Sequence, residues 1–109
     1  MLKVDPNTNA IQLTRGDTGV FTISLKNPDG TAYTPVSGDK VRFHMARTPG
    51  GRLLVDKEIP IASMELTILP KETKELSFGE YWYDIEFTDR TGKVSTVVVG
   101  KIELTKEVG

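Results

Sequence analysis

The stretch Glu80–Thr88, with the sequence EYWYDIEFT, alternates apolar and polar residues more regularly than any other part of the chain. One set consists of Tyr81, Tyr83, Ile85 and Phe87, and the other of Glu80, Trp82, Asp84 and Glu86. Successive side chains of a β-strand point to opposite faces, so this pattern predicts a central strand with its aromatic set in the core. Trp82 is then predicted to lie on the outer face.

The same alternation recurs along the chain and is interrupted by turn residues such as Asn27-Pro28-Asp29-Gly30. It predicts seven strands: Ala10–Thr14, Gly19–Lys26, Lys40–Arg47, Leu53–Ile59, Met64–Ile68, Glu80–Thr88 and Val94–Thr105. The charged strand Leu53–Ile59 is predicted at a sheet edge, and only the segment 70–76, which begins with Pro70, is expected to form a short helical turn. The sequence therefore predicts an all-β fold, an immunoglobulin-like antiparallel β-sandwich of about seven strands, as one domain over residues 1–109.

Apolar residues that share a face in these strands form the predicted core. They are Phe21, Ile23, Leu25, Val41, Phe43, Met45, Leu66, Ile68, Tyr81, Tyr83, Ile85 and Phe87. Tyr81 follows Gly79-Glu80 at the start of its strand, where a tyrosine corner would bond its hydroxyl to backbone across the preceding connection, although an ordinary core tyrosine also fits. Gly100 is expected to mark a bulge or a close approach within the last strand.

Composition excludes several classes of function. The chain has 109 residues, 14 basic against 15 acidic side chains and no cysteine. The near-neutral charge gives no reason to expect binding to nucleic acid or to an anionic membrane. The absence of cysteine excludes disulfides and is typical of proteins folded in a reducing cytosol. The range 1–20 contains no apolar run, so we expect no signal peptide, and no segment is long enough to span a membrane.

Catalytic motifs are not found. His44 is the only histidine, it is predicted to face outward, and a surface histidine is the expected role for it. Asp84 and Glu86 lie two residues apart on one strand face, which is typical of the solvated side of a sheet. Arg15-Gly16-Asp17 matches a tripeptide read by some cell-surface receptors, but a turn explains its glycine equally well. We therefore expect no enzymatic activity, cofactor, metal or small-molecule substrate.

The outer face around Trp82 is the predicted interaction site. In an immunoglobulin-like topology the third predicted strand, Lys40–Arg47, and the last, Val94–Thr105, flank the strand that carries Trp82. Their residues Arg42, His44, Val97 and Val99 are therefore predicted to share the outer surface with Trp82. An aromatic residue and valines surrounded by charges are typical of a protein interface. The alternative is that a bulge at Gly100 turns the valines inward, or that a loop covers the tryptophan.

Three segments resemble immunoglobulin-like structural modules of bacteriophages and prophages. They are Ile11–Thr18 continuing into Phe21-Thr22-Ile23, Asp39–Phe43, and Gly79–Ile85. The chain is similar in these pieces to small tail, baseplate and head accessory proteins, including the N-terminal domain of baseplate upper proteins.

The resemblance implies a role in assembly. It implies contacts with copies of the chain or with other virion subunits, synthesis in the bacterial cytoplasm and a final place in the virion. It carries over no site residue. The alternative is a carbohydrate-binding or adhesion module of a bacterial surface protein, in which Trp82 would stack on a sugar ring.

Overall fold

The computed structural model describes residues 2–4 and 9–106, the first range as backbone only; the rest of the predicted domain, residues 1, 5–8 and 107–109, lies outside the described residues. Ten strands and a single-turn helix follow one another in this part of the chain. They are β1 (Leu2–Val4), β2 (Ile11–Thr14), β3 (Gly19–Thr22), β4 (Leu25–Lys26), β5 (Ala32–Tyr33), β6 (Lys40–Ala46), β7 (Leu53–Ile59), β8 (Glu65–Ile68), α1 (Pro70–Thr73), β9 (Gly79–Thr88) and β10 (Val94–Thr105). The all-β prediction is confirmed, as is the helical turn that begins at Pro70.

A six-stranded sheet in the order β1-β2-β10-β9-β6-β7 forms the larger layer. Strand β9 lies between β10 and β6, the neighbours that the immunoglobulin-like prediction gave it, and β7 lies at an edge, also as predicted. Most pairings are antiparallel, but β2 and β10 run parallel. This pair departs from the expected antiparallel arrangement of the sandwich, because β2 lies beside the last strand of the chain and points in the same direction.

The second layer consists of two small sheets, β3 with β8 and β4 with β5. Apolar side chains of both layers form one buried cluster, a sandwich-like core. Of the twelve predicted core residues, ten are buried, while Phe21 and Phe87 are partly buried against them. Other buried members, which the predicted list lacked, are Ile11, Leu13, Val55, Ile59, Met64, Ile102 and Leu104.

The predicted strand Gly19–Lys26 is divided because the chain changes its pairing partner within it. Ile23 N–H still donates to Met64 O at 2.8 Å, next to β8, whereas Leu25 in β4 pairs with Tyr33 in β5. Together with this division, the short strands β1 and β5, which were not predicted, bring the number of strands in the described residues to ten rather than about seven. Segments of two or three residues contain too little alternation to be recognised from sequence.

Side chains of the connection around α1 link the two layers. The carboxylate of Glu72 accepts from Leu69 N–H and from Lys57 Nζ of the edge strand β7, each at 2.8 Å. The Tyr81 hydroxyl donates to Ser77 O at 2.7 Å, four residues upstream, which is the geometry of the predicted tyrosine corner. These bonds hold the start of β9 and hence the position of Trp82.

Candidate protein-interaction surface

Three rows of side chains cross the outer face of the six-stranded sheet from β7 through β6 and β9 to β10. The strand registers place Glu58, Arg42, Glu86 and Thr96 in the first row, Asp56, His44, Asp84 and Val99 in the second, and Leu53, Ala46, Trp82 and Lys101 in the third. Directly opposed residues on adjacent strands have Cβ atoms about 5 Å apart, so each row is in lateral contact. Four of the five predicted interface residues, Arg42, His44, Trp82 and Val99, lie in this grid.

In the first two rows, carboxylates lie on both sides of two basic side chains, Arg42 and His44. His44 Nδ1 lies 2.9 Å from Asp84 Oδ1, and its Nε2 lies 3.5 Å from Asp56 Oδ1. Arg42 Nε donates to the same Asp56 oxygen at 2.5 Å. His44 is therefore held between carboxylates of the two neighbouring strands, and its side chain is only 18% exposed. The contact between Nδ1 and Asp84 fixes the orientation of the His44 ring on the outer face.

The second and third rows meet in a hollow of about 240 Å³ beside the Thr48–Gly51 hairpin. Trp82, Leu53 and Val99 contribute its apolar lining, with Ala46 buried beneath them. Val99 is 56% exposed and Leu53 46% exposed, whereas Trp82 is partly buried. Exposed apolar side chains that converge on a hollow with a charged margin form a surface that gains stability when a partner covers it. We call these three residues the Trp82 patch.

Val97 does not belong to this surface, and that part of the prediction is wrong. The pairing of β10 with β9 shifts between Thr96 and Val98, which leaves Val97 as the extra residue of a bulge. Its side chain lines a different hollow, together with Leu25, Tyr33 and Phe87 of the core side.

The bulge expected at Gly100 thus lies three residues earlier, at Val97. The alternative prediction of a close approach holds at Gly100 itself, because a Cβ there would lie 2.6 Å from Asn9 O.

Leu53 was not predicted as part of the site. The charges of its strand predict a sheet edge and say nothing of the Leu53-Leu54 pair at its start. Two adjacent apolar residues of a strand point to opposite faces, which is a signal that one of them lies outside. The structure places Leu54 against the core and leaves Leu53 exposed beside Ala46. A register shift between Met45 and Ala46 produces this arrangement, and sequence alternation alone does not locate it.

Two observations weigh against the alternative function in carbohydrate binding or adhesion. Lys101 Nζ lies over the Trp82 ring, 4.9 Å from its centroid, and so occupies a face on which a sugar would stack. The Arg15 guanidinium lies 4.0 Å from the Phe78 ring centroid and donates to Leu76 O at 3.2 Å. Arg15 is therefore engaged within the fold, unlike an arginine presented to a receptor.

A buried carboxylate elsewhere in the molecule has a structural explanation. Asp39 accepts from the Tyr33 hydroxyl at 2.6 Å, from Val36 N–H at 2.9 Å and from Arg90 N–H at 3.1 Å. The Tyr33 hydrogen bond, followed by that of Val36, holds the pKa of Asp39 below its ordinary value of 3.8. Both oxygens are used to join the loop after β5 to the β9–β10 turn, so Asp39 is not poised for proton transfer.

Comparison with known proteins adds no family to these observations: no family model matches the chain, and no curated protein sequence matches it. Among residues 2–4 and 9–106, no helix has the length and apolar character needed to cross a membrane. Within the same ranges, no cluster of three or more His, Cys, Asp or Glu residues has the arrangement of a metal site.

Proposed function

We propose that this chain is a non-enzymatic assembly module that contacts other protein subunits through the Trp82 patch. The observation that carries the proposal is the convergence of Trp82, Val99 and Leu53 on one hollow of the six-stranded sheet, with ionic groups beside it. Aromatic anchors in a hollow surrounded by polar groups are the usual location of binding energy in protein interfaces. The hydrogen bonds that the Tyr81 hydroxyl and the Asp39 and Glu72 carboxylates form within the fold support a non-enzymatic role.

We further propose that the assembly is a bacteriophage or prophage virion, in its tail, baseplate or head accessory parts. The support is the resemblance of the segments Ile11–Thr18, Asp39–Phe43 and Gly79–Ile85 to such modules, together with the sandwich-like fold in which those segments lie on β2, β6 and β9. The proposed partners are copies of the chain or other virion subunits. In this proposal the chain is made in the bacterial cytoplasm and becomes part of the particle.

Incorporation into particles tests both proposals at once. In a bacterium that produces the phage encoding this chain, the wild-type gene is replaced by Val99→Ser or by Val97→Ser, and the chain is quantified by mass spectrometry in gradient-purified particles. Val97 is a matched control, because it is a valine of the same strand and is 42% exposed, but it lines the other hollow. We expect particles to lose the Val99→Ser chain and to retain the Val97→Ser chain.

Two results would contradict the proposals. Absence of the wild-type chain from purified particles would refute a place in the virion. Equal incorporation of the two variants would refute the Trp82 patch as the contact surface. Trp82→Ala serves as a stronger variant, with about a 30-fold loss of affinity expected for an interface anchor of about 2 kcal/mol. Circular dichroism of the purified variants shows whether each one folds.

A further inference from the structure

The outer face carries an excess of negative charge beside the Trp82 patch. Among the side chains of residues 9–106, its carboxylates are Asp56, Glu58, Glu80, Asp84, Glu86 and Glu103, whereas its permanent cations are Lys40, Arg42 and Lys101. Arg42 is already paired with Asp56, and Lys101 lies over the Trp82 ring and 3.9 Å from Glu80. Two of these three cations are thus used internally, and three cations against six carboxylates leave the negative charge only partly compensated.

Two of these carboxylates have no internal partner. Within residues 9–106, the side chains of Glu58 and Glu86 accept no hydrogen bond and form no ion pair. They flank Arg42 on either side in the first row, so they lie about 10 Å apart across three strands. The hollow of the Trp82 patch, between the second and third rows, lies about 7–13 Å away along the strands for a rise of about 3.3 Å per residue.

From this arrangement we infer that the partner of the Trp82 patch is a different protein, whose contacting segment carries an apolar side chain flanked by lysine or arginine. The inference deepens the proposed function and rests on it. The apolar side chain enters the hollow, and the basic groups contact Glu58 and Glu86. A second copy of the chain fits less well, because it would present the same excess of carboxylates and like charges across an interface are repulsive.

The minimal probe of this chemistry is the capped pentapeptide Lys-Lys-Leu-Lys-Lys, titrated into the full chain at low ionic strength and followed by amide and indole NMR shifts. Two control peptides differ from it in one property each: Lys-Lys-Ser-Lys-Lys lacks the apolar anchor, and Glu-Glu-Leu-Glu-Glu has the opposite charge. We expect shifts at the Trp82 indole and at the amides of the three rows. Each control peptide should bind about tenfold more weakly, which corresponds to about 1.4 kcal/mol.

The charge contribution is isolated by the double substitution Glu58→Gln and Glu86→Gln, with Glu65→Gln as a control on the other layer of the sandwich. Glu65 is an exposed acid of β8, far from the rows in the pairing order. The double variant should weaken binding of the basic peptide about threefold to tenfold, and Glu65→Gln should not. The difference should diminish in 0.5 M salt, because exposed charges are screened.

The inference fails if the basic peptide binds no better than either control peptide, if its shifts lie outside the three rows, or if the double variant binds as wild type does. The molar mass in solution, measured by light scattering over a series of concentrations, is an independent test. We expect a monomer. An oligomer that Val99→Ser dissociates and Val97→Ser does not would overturn it while supporting the proposed assembly role, and thus separates the two failures.

Discussion

Gly100 in β10 is approached so closely by other parts of the chain that even the methyl group of alanine is expected to lower stability. An alanine Cβ at this position would lie 2.6 Å from Asn9 O and 2.9 Å from Tyr83 Cε1. Carbon and oxygen atoms in ordinary contact are about 3.3 Å or more apart, so the Asn9 carbonyl would have to move by about 0.7 Å. That carbonyl also accepts the Tyr83 hydroxyl hydrogen bond, which such a movement would weaken.

Two contributions of Gly100→Ala lower the free energy of unfolding, and a third partly offsets them. Overpacking of a tight site costs about 1–3 kcal/mol, and loss of the Tyr83 hydrogen bond about 0.5–1.5 kcal/mol. Replacing a strand glycine by alanine returns about 0.5–1 kcal/mol through the smaller entropy loss on folding. We therefore expect the free energy of unfolding to fall by about 2 kcal/mol, a large fraction of the stability of a domain of this size.

Urea denaturation at 25 °C, followed by circular dichroism, measures this change. With a slope of about 1–2 kcal/mol per molar urea, the midpoint should fall by about 1–2 M. Val99→Ala, one residue away on the exposed side, should change the free energy by less than about 0.5 kcal/mol. In a Tyr83→Phe background the cost of Gly100→Ala should be smaller, because the hydroxyl that would crowd the new Cβ at 3.0 Å is removed. A Gly100→Ala protein as stable as wild type would refute the reasoning.

Two further predictions concern the buried tyrosines of β9. Tyr81→Phe removes the hydroxyl bonded to Ser77 O and should lower the free energy of unfolding, measured by urea denaturation, by about 1 kcal/mol. An unchanged urea midpoint would show that the tyrosine corner adds nothing to stability. Burial raises the pKa of Tyr83 to about 12, above its ordinary value of 10.0, so its neutral form is favoured in the folded state. The stability that this pKa difference contributes is complete below pH 10 and should be lost as the pH rises from 10 to about 12. The urea midpoint should therefore fall over this pH range, and it should fall less in Tyr83→Phe. Equal falls in the two proteins would exclude the effect.

Much of the fold could be predicted because alternation is a local property that survives folding. The long strands β6, β7, β9 and β10 were located within a residue or so, and Trp82 was placed on the outer face. The divided strand at Ile23 could not be predicted in this way. Its residues continue to alternate, but their hydrogen-bond partners change from β8 to β5, and the identity of a partner is not contained in the alternation.

The candidate site was predicted less completely for the same reason. Arg42, His44, Trp82 and Val99 follow from strand parity alone, and the structure brings them together. Val97 was predicted in the site and lies outside it, whereas Leu53 was not predicted and lies within it. The position of each residue depends on a register shift beside it. A bulge adds one residue to a strand and changes the face on which the neighbouring residues fall, so a single such shift decides that Val97 does not share the outer face with Val99.

The amino-acid sequence by itself determined the all-β class, the outward position of Trp82, the edge position of β7 and most of the core, because each follows from the two-residue period of a strand and from turn chemistry. Only the tertiary structure decided the parallel pairing of β2 with β10, the choice between a bulge and a close approach at Gly100, and the membership of the Trp82 patch. These features depend on which backbone segments lie next to one another. That choice is made by the packing of the whole chain, in which residues far apart in sequence compete for the same hydrogen-bond partners.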